Sequence, residues 1–490
     1  MSHQAGLVEE LVQYKKAVLF DERRDSRIRG SIEATLEFFS KRRSTFINKF
    51  DSRTAIQNPT AHRSSSTMTY PQISRPVPYH NSENSSDRIL GTESIHEKDV
   101  EVGSILHDNN SYGEATGNLS IKDRLKHFTF AWYASTMSTG GVAFVLSVVP
   151  NRFYGLTGLG TGIFIFNLFL FTAVTIVMCA RFIIHPGTFT HSLTNPHEGF
   201  FFATFWLTIA TIISNSTAYG IPNSGPWLIT ALRIAFWIYT VCATLLAIFY
   251  YHVLFSVKKL TLTNVLPGWV LPIFPAMLVG TLASAIAKTQ PAEHAMTILV
   301  AGLSYQGLGM MVAIMMYSLY FGRLLTSGLP ADMSRPAMFI AVGPPSFTAL
   351  AFIGMAQDVT AAKIFEGYTT LNGIVDQDII PDVLSLLALI AAIFLWTLAF
   401  WFFAIAVVAS VEAVQRNDFH LNWYAYVFPN VGFTISTMKI GERLSSPAVQ
   451  RVGTGMAAVL FFLWILIVFC HIKAIINKKI CWPGKDEDAH

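Results

Sequence analysis

The chain has 490 residues, 52% apolar and 13% aromatic, with a mean hydropathy of +0.43, which places it with integral membrane proteins. Residues 1–120 hold 15 Lys/Arg and 16 Asp/Glu, so the formal net charge of +4 belongs to the rims of the membrane region and points to no nucleic-acid partner. Cys179, Cys242, Cys470 and Cys481 show no CxxC or Cys/His ligand spacing, which argues against a metal site or a disulfide framework. No Gly-rich phosphate loop or catalytic triad is legible, so neither a cofactor nor an enzymatic activity is expected.

Residues 1–120 read as a cytosolic, largely disordered extension. Leu, Ile and Phe among charged clusters give one or two surface helices before residue 50, and a Ser-, Asn- and Pro-rich stretch follows. The extension lacks an apolar signal core, so the first span serves as the insertion signal. Ten spans then run near 125–149, 159–183, 198–219, 227–255, 267–287, 293–326, 336–357, 381–412, 420–438 and 452–477, each near the ~20 residues a bilayer requires. The sixth and eighth are overlong and must tilt or project. With the N-terminus inside, the cytosolic edges carry thirteen Lys/Arg and the opposite edges six, so both termini are expected in the cytosol, with 479–490 a short tail.

Four breaks recur in these spans: Ser138-Thr139-Gly140-Gly141, Leu271-Pro272-Ile273-Phe274-Pro275, Gly343-Pro344-Pro345-Ser346 and Phe428-Pro429-Asn430-Val431-Gly432. Proline frees the carbonyl four residues back, here Gly268, Leu271, Ile340, Ala341 and Ala425. In hydrocarbon such groups persist only inside protein or along a wet cavity. The breaks fall in spans one, five, seven and nine, which suggests one helical hairpin repeated five times with the odd helices inside. The third span has no proline and offers Ser214, Asn215, Ser216 and Thr217 instead. The fold read from this pattern is all-α and polytopic: five hairpins around a central pore, within a transporter domain spanning 121–478.

The spans contain almost no charge, whereas a cation pump or proton relay usually places Asp or Glu there. Hydroxyls, small residues and broken-helix ends suit an anion held loosely. The candidate path is Ser138, Thr139, Gly140, Pro272, Pro275, Gly343, Pro344, Ser346 and Asn430. The same residue types line ordinary helix interfaces. Arg233, the only clearly intramembrane basic residue in this reading, either attracts the anion or snorkels at the outer rim. Glu198 and Glu412 sit at span ends, where rim placement is the default. His127 opens the first span and is the foremost histidine for proton coupling; plain interfacial placement is the alternative. Phe428, beside a proline, is either a gate that closes a narrow path by dewetting or a core aromatic among 38 phenylalanines.

Several long motifs resemble a known family. They are Leu125-Lys126-His127-Phe128-Thr129-Phe130-Ala131-Trp132-Tyr133, Arg152-Phe153-Tyr154-Gly155-Leu156, Arg335-Pro336-Ala337-Met338-Phe339, Val342-Gly343-Pro344-Pro345, Phe428-Pro429-Asn430-Val431-Gly432-Phe433 and the tail from Cys481-Trp482-Pro483-Gly484. Over residues 120–490 the chain is similar to fungal malic-acid permeases of the tellurite-resistance/dicarboxylate transporter family, which also holds slow anion channels and sulfite exporters. The resemblance implies ten helices with pseudo-five-fold symmetry, an inner ring of odd helices, a homotrimer in the plasma membrane, and a pore-blocking phenylalanine at Phe428, with Phe433 one turn on. It also implies transport of malate and related C4-dicarboxylates, driven by protons. A sulfite exporter or a voltage-dependent anion channel of the same fold is the alternative. Two features depart from the family: the long N-terminal extension, and the outer-loop carboxylates Asp376, Asp378 and Asp382. The apparent lack of buried carboxylates suits carriage of the protonated or monoanionic acid and passive conduction of dianions equally.

Overall fold

The computed structural model describes residues 120–257, 261–361, 379–413 and 418–482. These residues form ten α-helices of 13 to 36 residues: α1 (Tyr133–Val148), α2 (Leu156–Ile184), α3 (Phe202–Asn215), α4 (Trp227–Val257), α5 (Phe274–Ile286), α6 (Ala292–Ser327), α7 (Gly343–Ala361), α8 (Ile380–Ala413), α9 (Phe428–Arg443) and α10 (Pro447–Ile476). No β-strand occurs among the described residues. The expected extension, Asp376 and Asp378, and residues 483–490 lie outside them.

Among the described residues, eight helical stretches are long and apolar enough to cross a membrane. The first and ninth expected spans are not among these eight; each is a short 3-10 segment followed by a 16-residue α-helix. The 3-10 onset recurs. Phe130–Trp132 leads into α1, Pro267–Ile273 into α5, Asp332–Val342 into α7 and Leu421–Tyr426 toward α9. The five odd helices begin at residues 133, 202, 274, 343 and 428, so successive starts lie 69, 72, 69 and 85 residues apart. That spacing is the repeat anticipated from the prolines, and it now includes the third span.

The prolines act differently from the expectation. Pro275, Pro344, Pro345 and Pro429 fall in the first turn of α5, α7 and α9, where the missing N–H has no intrahelical partner to lose. They mark where the α-helix starts after a tighter approach segment. The glycine pair does not break α1, which runs unbroken through Ser138-Thr139-Gly140-Gly141. Those glycines serve close packing: a Cβ on Gly140 would strike Thr211 of α3, and one on Gly141 would lie 2.8 Å from Val431 of α9.

Contacts close the odd helices into a ring: α1 touches α3, α3 touches α5, then α7, then α9, and α9 returns to α1. Each even helix packs against the odd helix before it and lies outside. Burial separates the two sets. The stretches containing α5 and α7 are 89% and 94% buried, while those containing α2, α8 and α10 are 28%, 11% and 28% buried. Phe169, Phe394 and Phe469 on these outer helices are exposed, as a lipid-facing surface requires.

Outer side chains complete the hydrogen bonding of the inner backbone. Tyr239 of α4 donates to the Pro275 carbonyl at 2.9 Å, and Tyr317 of α6 donates to Ala341 at 2.8 Å. Ala341 is one of the carbonyls that the prolines leave without an intrahelical donor. Within the ring, Tyr219 donates to Ala143 at 2.7 Å and Asn215 donates to Gly140 at 2.8 Å. Tyr219 lies in a π-helical turn, Ser216–Gly220, so the irregularity of the third span sits at its far end. Past α10, Ile480 is buried, and Arg124 and Lys478 stand 5.7 and 5.0 Å from the Trp482 ring, holding the tail against the helix Ile121–Lys126.

Candidate functional site

Two small cavities lie on the axis of the ring, and residues of all five inner units line each of them. The first, about 30 Å³, touches Met137, Leu207, Phe274, Ile340 and Phe428. The second, about 20 Å³, touches Gly141, Thr211, Thr281, Phe347 and Phe428. Each holds about one water, far less than a dicarboxylate requires. Phe428 faces both cavities and divides them. Phe428 is the one residue common to the two linings.

The closure is aromatic and built from three repeats. Phe428 stacks on Phe347 at 5.2 Å and 28° between planes, and it meets Phe274 at 6.3 Å; Phe274 and Phe347 are edge-on at 5.9 Å. Phe274 and Phe428 are the first residues of α5 and α9, and the equivalent residue of α7 is Gly343. A Cβ on Gly343 would lie 2.9 Å from Phe274 Cε2 and still nearer its Cζ, so the glycine opens the space that this ring fills. The approach cavity is largely apolar, with Thr204 and Asn422 among its few polar residues.

The predicted path residues divide into those beside the closure and those turned away. Gly343 abuts Phe274, while Ser346 is fully buried, donates to the Gly343 carbonyl at 3.0 Å and approaches the Pro429 carbonyl at 3.5 Å. Pro344 accepts from Thr348 at 2.7 Å, and the Asn430 amide donates to Tyr426 at 2.9 Å. Pro272 and Pro275 are buried in the approach and first turn of α5. None of these six lines either cavity, and neither do Ser138, Thr139 and Gly140. Ser138 donates to the Tyr424 carbonyl, and Thr139 accepts from the Trp464 indole at 3.1 Å. Gly140 faces α3. The α1 positions on the path are Ala134, Met137, Gly141 and Phe144, one helical stripe. Thr211, Ser214 and Thr281 supply hydroxyls to the second cavity, and the Thr281 hydroxyl is buried without a hydrogen-bond partner. Their i, i+3 and i+4 spacing with Leu278 and Leu282 was the signal available for Thr281.

Arg233 is half-buried on α4, outside the ring, and His127 is half-buried at the end of the helix Ile121–Lys126; neither lines a cavity. Two histidines passed over in the sequence, His420 and His471, are buried. His471 Nδ1 lies 2.8 Å from the Tyr424 hydroxyl.

The expectation of an interior without carboxylates is corrected at two places. Glu198 is 2% exposed and forms a two-pronged pair with Arg181 of α2, at 2.6 and 3.4 Å. It is therefore buried against protein at the start of the third span, in the short helix Pro196–Gly199. Arg181 Nε also donates to the Lys126 carbonyl at 3.1 Å, which ties the approach to α1 to the second hairpin. Asp358, near the end of α7, is 4% exposed. Glu412 keeps its rim position, half-exposed and 3.3 Å from Arg335.

A closed ring of interrupted helices around an axis with one aromatic block is the plan of a conduit. The sequence profile of the voltage-dependent anion channel family (SLAC1) matches residues 127–472, from before α1 to the last turn of α10. The chain belongs to that family. It is 35% identical over 378 residues to the malic acid transport protein of Schizosaccharomyces pombe, covering 76% of this chain and 84% of that one. A second S. pombe chain is 37% identical over 372 residues, 76% and 85% of the two lengths. The sulfite efflux pump of Candida albicans is more distant, 23% identical over 355 residues, 70% of each chain. This chain is thus a multi-pass membrane protein of a transporter family, with the resemblance to fungal malate permeases borne out.

Proposed function

We propose that the protein carries malate and related C4-dicarboxylates across the fungal plasma membrane, coupled to protons, with Phe428 as the gate. The observation that carries this reading is the pair of axial cavities, each lined by all five inner units and parted by one ring. The similarity to a malic acid transport protein supports the substrate class. In this reading α1 and α9 with their 3-10 approaches also cross the bilayer, giving ten spans, with both termini cytosolic and three copies assembling as a trimer.

Opening requires the Phe428 ring to leave the axis, which joins the two cavities into one path. Helix starts at the depth of Phe274, Gly343 and Phe428 turn partial positive charge toward the path, favouring an anion without a fixed cation to trap it. The hydroxyls of Thr211, Ser214 and Thr281 then replace part of the hydration that the anion sheds. Ser346 and Asn430 hold the first turns of α7 and α9 in place around the closure.

The test is labelled malate flux into proteoliposomes at clamped voltage, with and without an inward proton gradient. Flux that rises with the gradient and is competed by succinate establishes a proton-coupled dicarboxylate carrier. Flux that follows voltage alone assigns channel conduction. Sulfite transport without malate transport overturns the substrate.

A further inference from the structure

The far end of the path, on the opposite side of Phe428 from the 3-10 segments, carries charge that the central region lacks. Asp358 lies eleven residues beyond Phe347 on α7, three helical turns along nearly the same face. Lys439 lies eleven residues beyond Phe428 on α9 by the same geometry. Lys288 follows α5 in the 3-10 turn Ala287–Thr289, seven residues past Thr281. The face that closes the path in three neighbouring helices therefore ends in one acid and two bases. The Lys288 backbone amide faces the Asp358 carboxyl, and the Lys288 and Lys439 ammonium groups both act on it.

Asp358 is buried, and among the described residues it has no close ion pair. One carboxyl oxygen, Oδ2, has no hydrogen-bond partner. Lys439 has its own partner, Glu442, at 2.8 Å, and Glu442 also accepts from Gln357 at 3.4 Å. Arg443 turns to Ser385 of α8 at 3.2 Å. Among the described residues, the charged groups that bear on Asp358 are thus Lys288 and Lys439, with Glu442 on the neighbouring Gln357.

We propose that Lys288 and Lys439 form the outer capture site for a substrate carboxylate, and that Asp358 is its proton-controlled counter-charge. With Asp358 ionised, it competes with the incoming anion for the two ammonium groups. Protonation removes that competitor and leaves Lys288, and Lys439 beside its Glu442 partner, to the substrate carboxylate. Acid on this side then favours anion arrival, so proton and dicarboxylate reach the path together. The proton stays on Asp358 Oδ2 or passes inward with the acid, and no other group changes charge. Attraction of this kind acts on substrate arrival, so its signature is KM and salt dependence more than the maximal rate.

The inference rests on the dicarboxylate reading above, and the test separates the two. Malate influx is measured in proteoliposomes at external pH 5 and pH 7, with wild type first. Wild type without malate flux overturns the functional reading; wild type whose malate influx ignores external pH overturns this inference and the proton coupling, and leaves the dicarboxylate reading standing. Asp358→Asn is expected to raise influx at pH 7 to near the acid value and to flatten the pH response. Asp358→Glu is expected to retain it. Lys288→Gln and Lys439→Gln are expected to raise KM by about three- to tenfold at low salt, less at high salt, with little change in maximal rate. Should Asp358→Asn fail to fold, the two lysine variants decide by their KM and salt profiles. An unchanged pH response in Asp358→Asn, or unchanged KM in both lysine variants, overturns the proposal.

Discussion

The inner and outer helices meet the same solvent with opposite designs. The outer set is long and regular, up to 36 residues in α6, and turns residues such as Phe169, Phe394 and Phe469 to the lipid. The inner set is shorter, begins in 3-10 geometry at four of its five members, and is buried by its neighbours. Lipid cannot hydrogen-bond an irregular backbone, so irregularity survives only where another helix completes it. Tyr317 on Ala341 and Tyr239 on Pro275 show how: an outer side chain supplies the donor that the inner turn lacks. The outer helices are therefore more than a lipid sleeve; they permit the inner ones to be irregular where the path needs narrowing.

That contrast predicts a steep gradient of mutational effects from axis to periphery. The largest belongs to Phe428→Ala, which removes the ring dividing the two cavities and is expected to raise anion flux by about tenfold or more, with Phe428→Leu intermediate. Conductance of reconstituted protein checks it, and an unaltered flux removes Phe428 from the gate. Next comes Arg181→Ala, which strands the buried Glu198 carboxylate at a cost of about 3–5 kcal/mol. Replacing both partners with apolar residues is expected to recover much of the loss in thermal unfolding in detergent.

Gly343→Val pushes against the Phe274 ring and is expected to cost about 1–3 kcal/mol by overpacking. Because the displaced ring belongs to the closure, flux should shift as well as stability; a change in stability alone would mean that Phe274 does not take part in closure. Tyr317→Phe leaves the Ala341 carbonyl without its donor, for an expected loss of about 1–3 kcal/mol, and it tests the support of inner backbone by outer side chains directly. Phe394→Ala, which changes only a lipid-exposed side chain on α8, is expected to stay within about 0.5 kcal/mol and to leave flux untouched. A large effect there would mean that this surface is covered by another protein chain.

Much of the ring was legible in the sequence. Prolines at similar intervals disclosed a repeat because a tertiary amide restricts where a helix can start, and that restriction is local. Apolar runs of about 20 residues disclosed the spans, because bilayer thickness sets their length. The glycine pair of α1 misled, since Gly140-Gly141 looks the same whether it weakens a helix or admits a neighbour; only the positions of Thr211 and Val431 distinguish the two. Ser138 and Thr139 were placed on the path by composition and are turned to Tyr424 and Trp464, because hydroxyls satisfy interfaces as readily as pores.

The sequence by itself determined the solvent, the helical class, the repeat and the phenylalanine at the start of α9, since each follows from local chemistry or from hydrocarbon thickness. The tertiary structure decided the rest. It set which face of each inner helix meets the axis, brought Phe274, Phe347 and Phe428 from three repeats into one closure, and buried Glu198 on Arg181 and Asp358 beside Lys288. Those outcomes depend on contacts between residues from 17 to more than a hundred positions apart, and no local pattern in the chain records which neighbour will arrive.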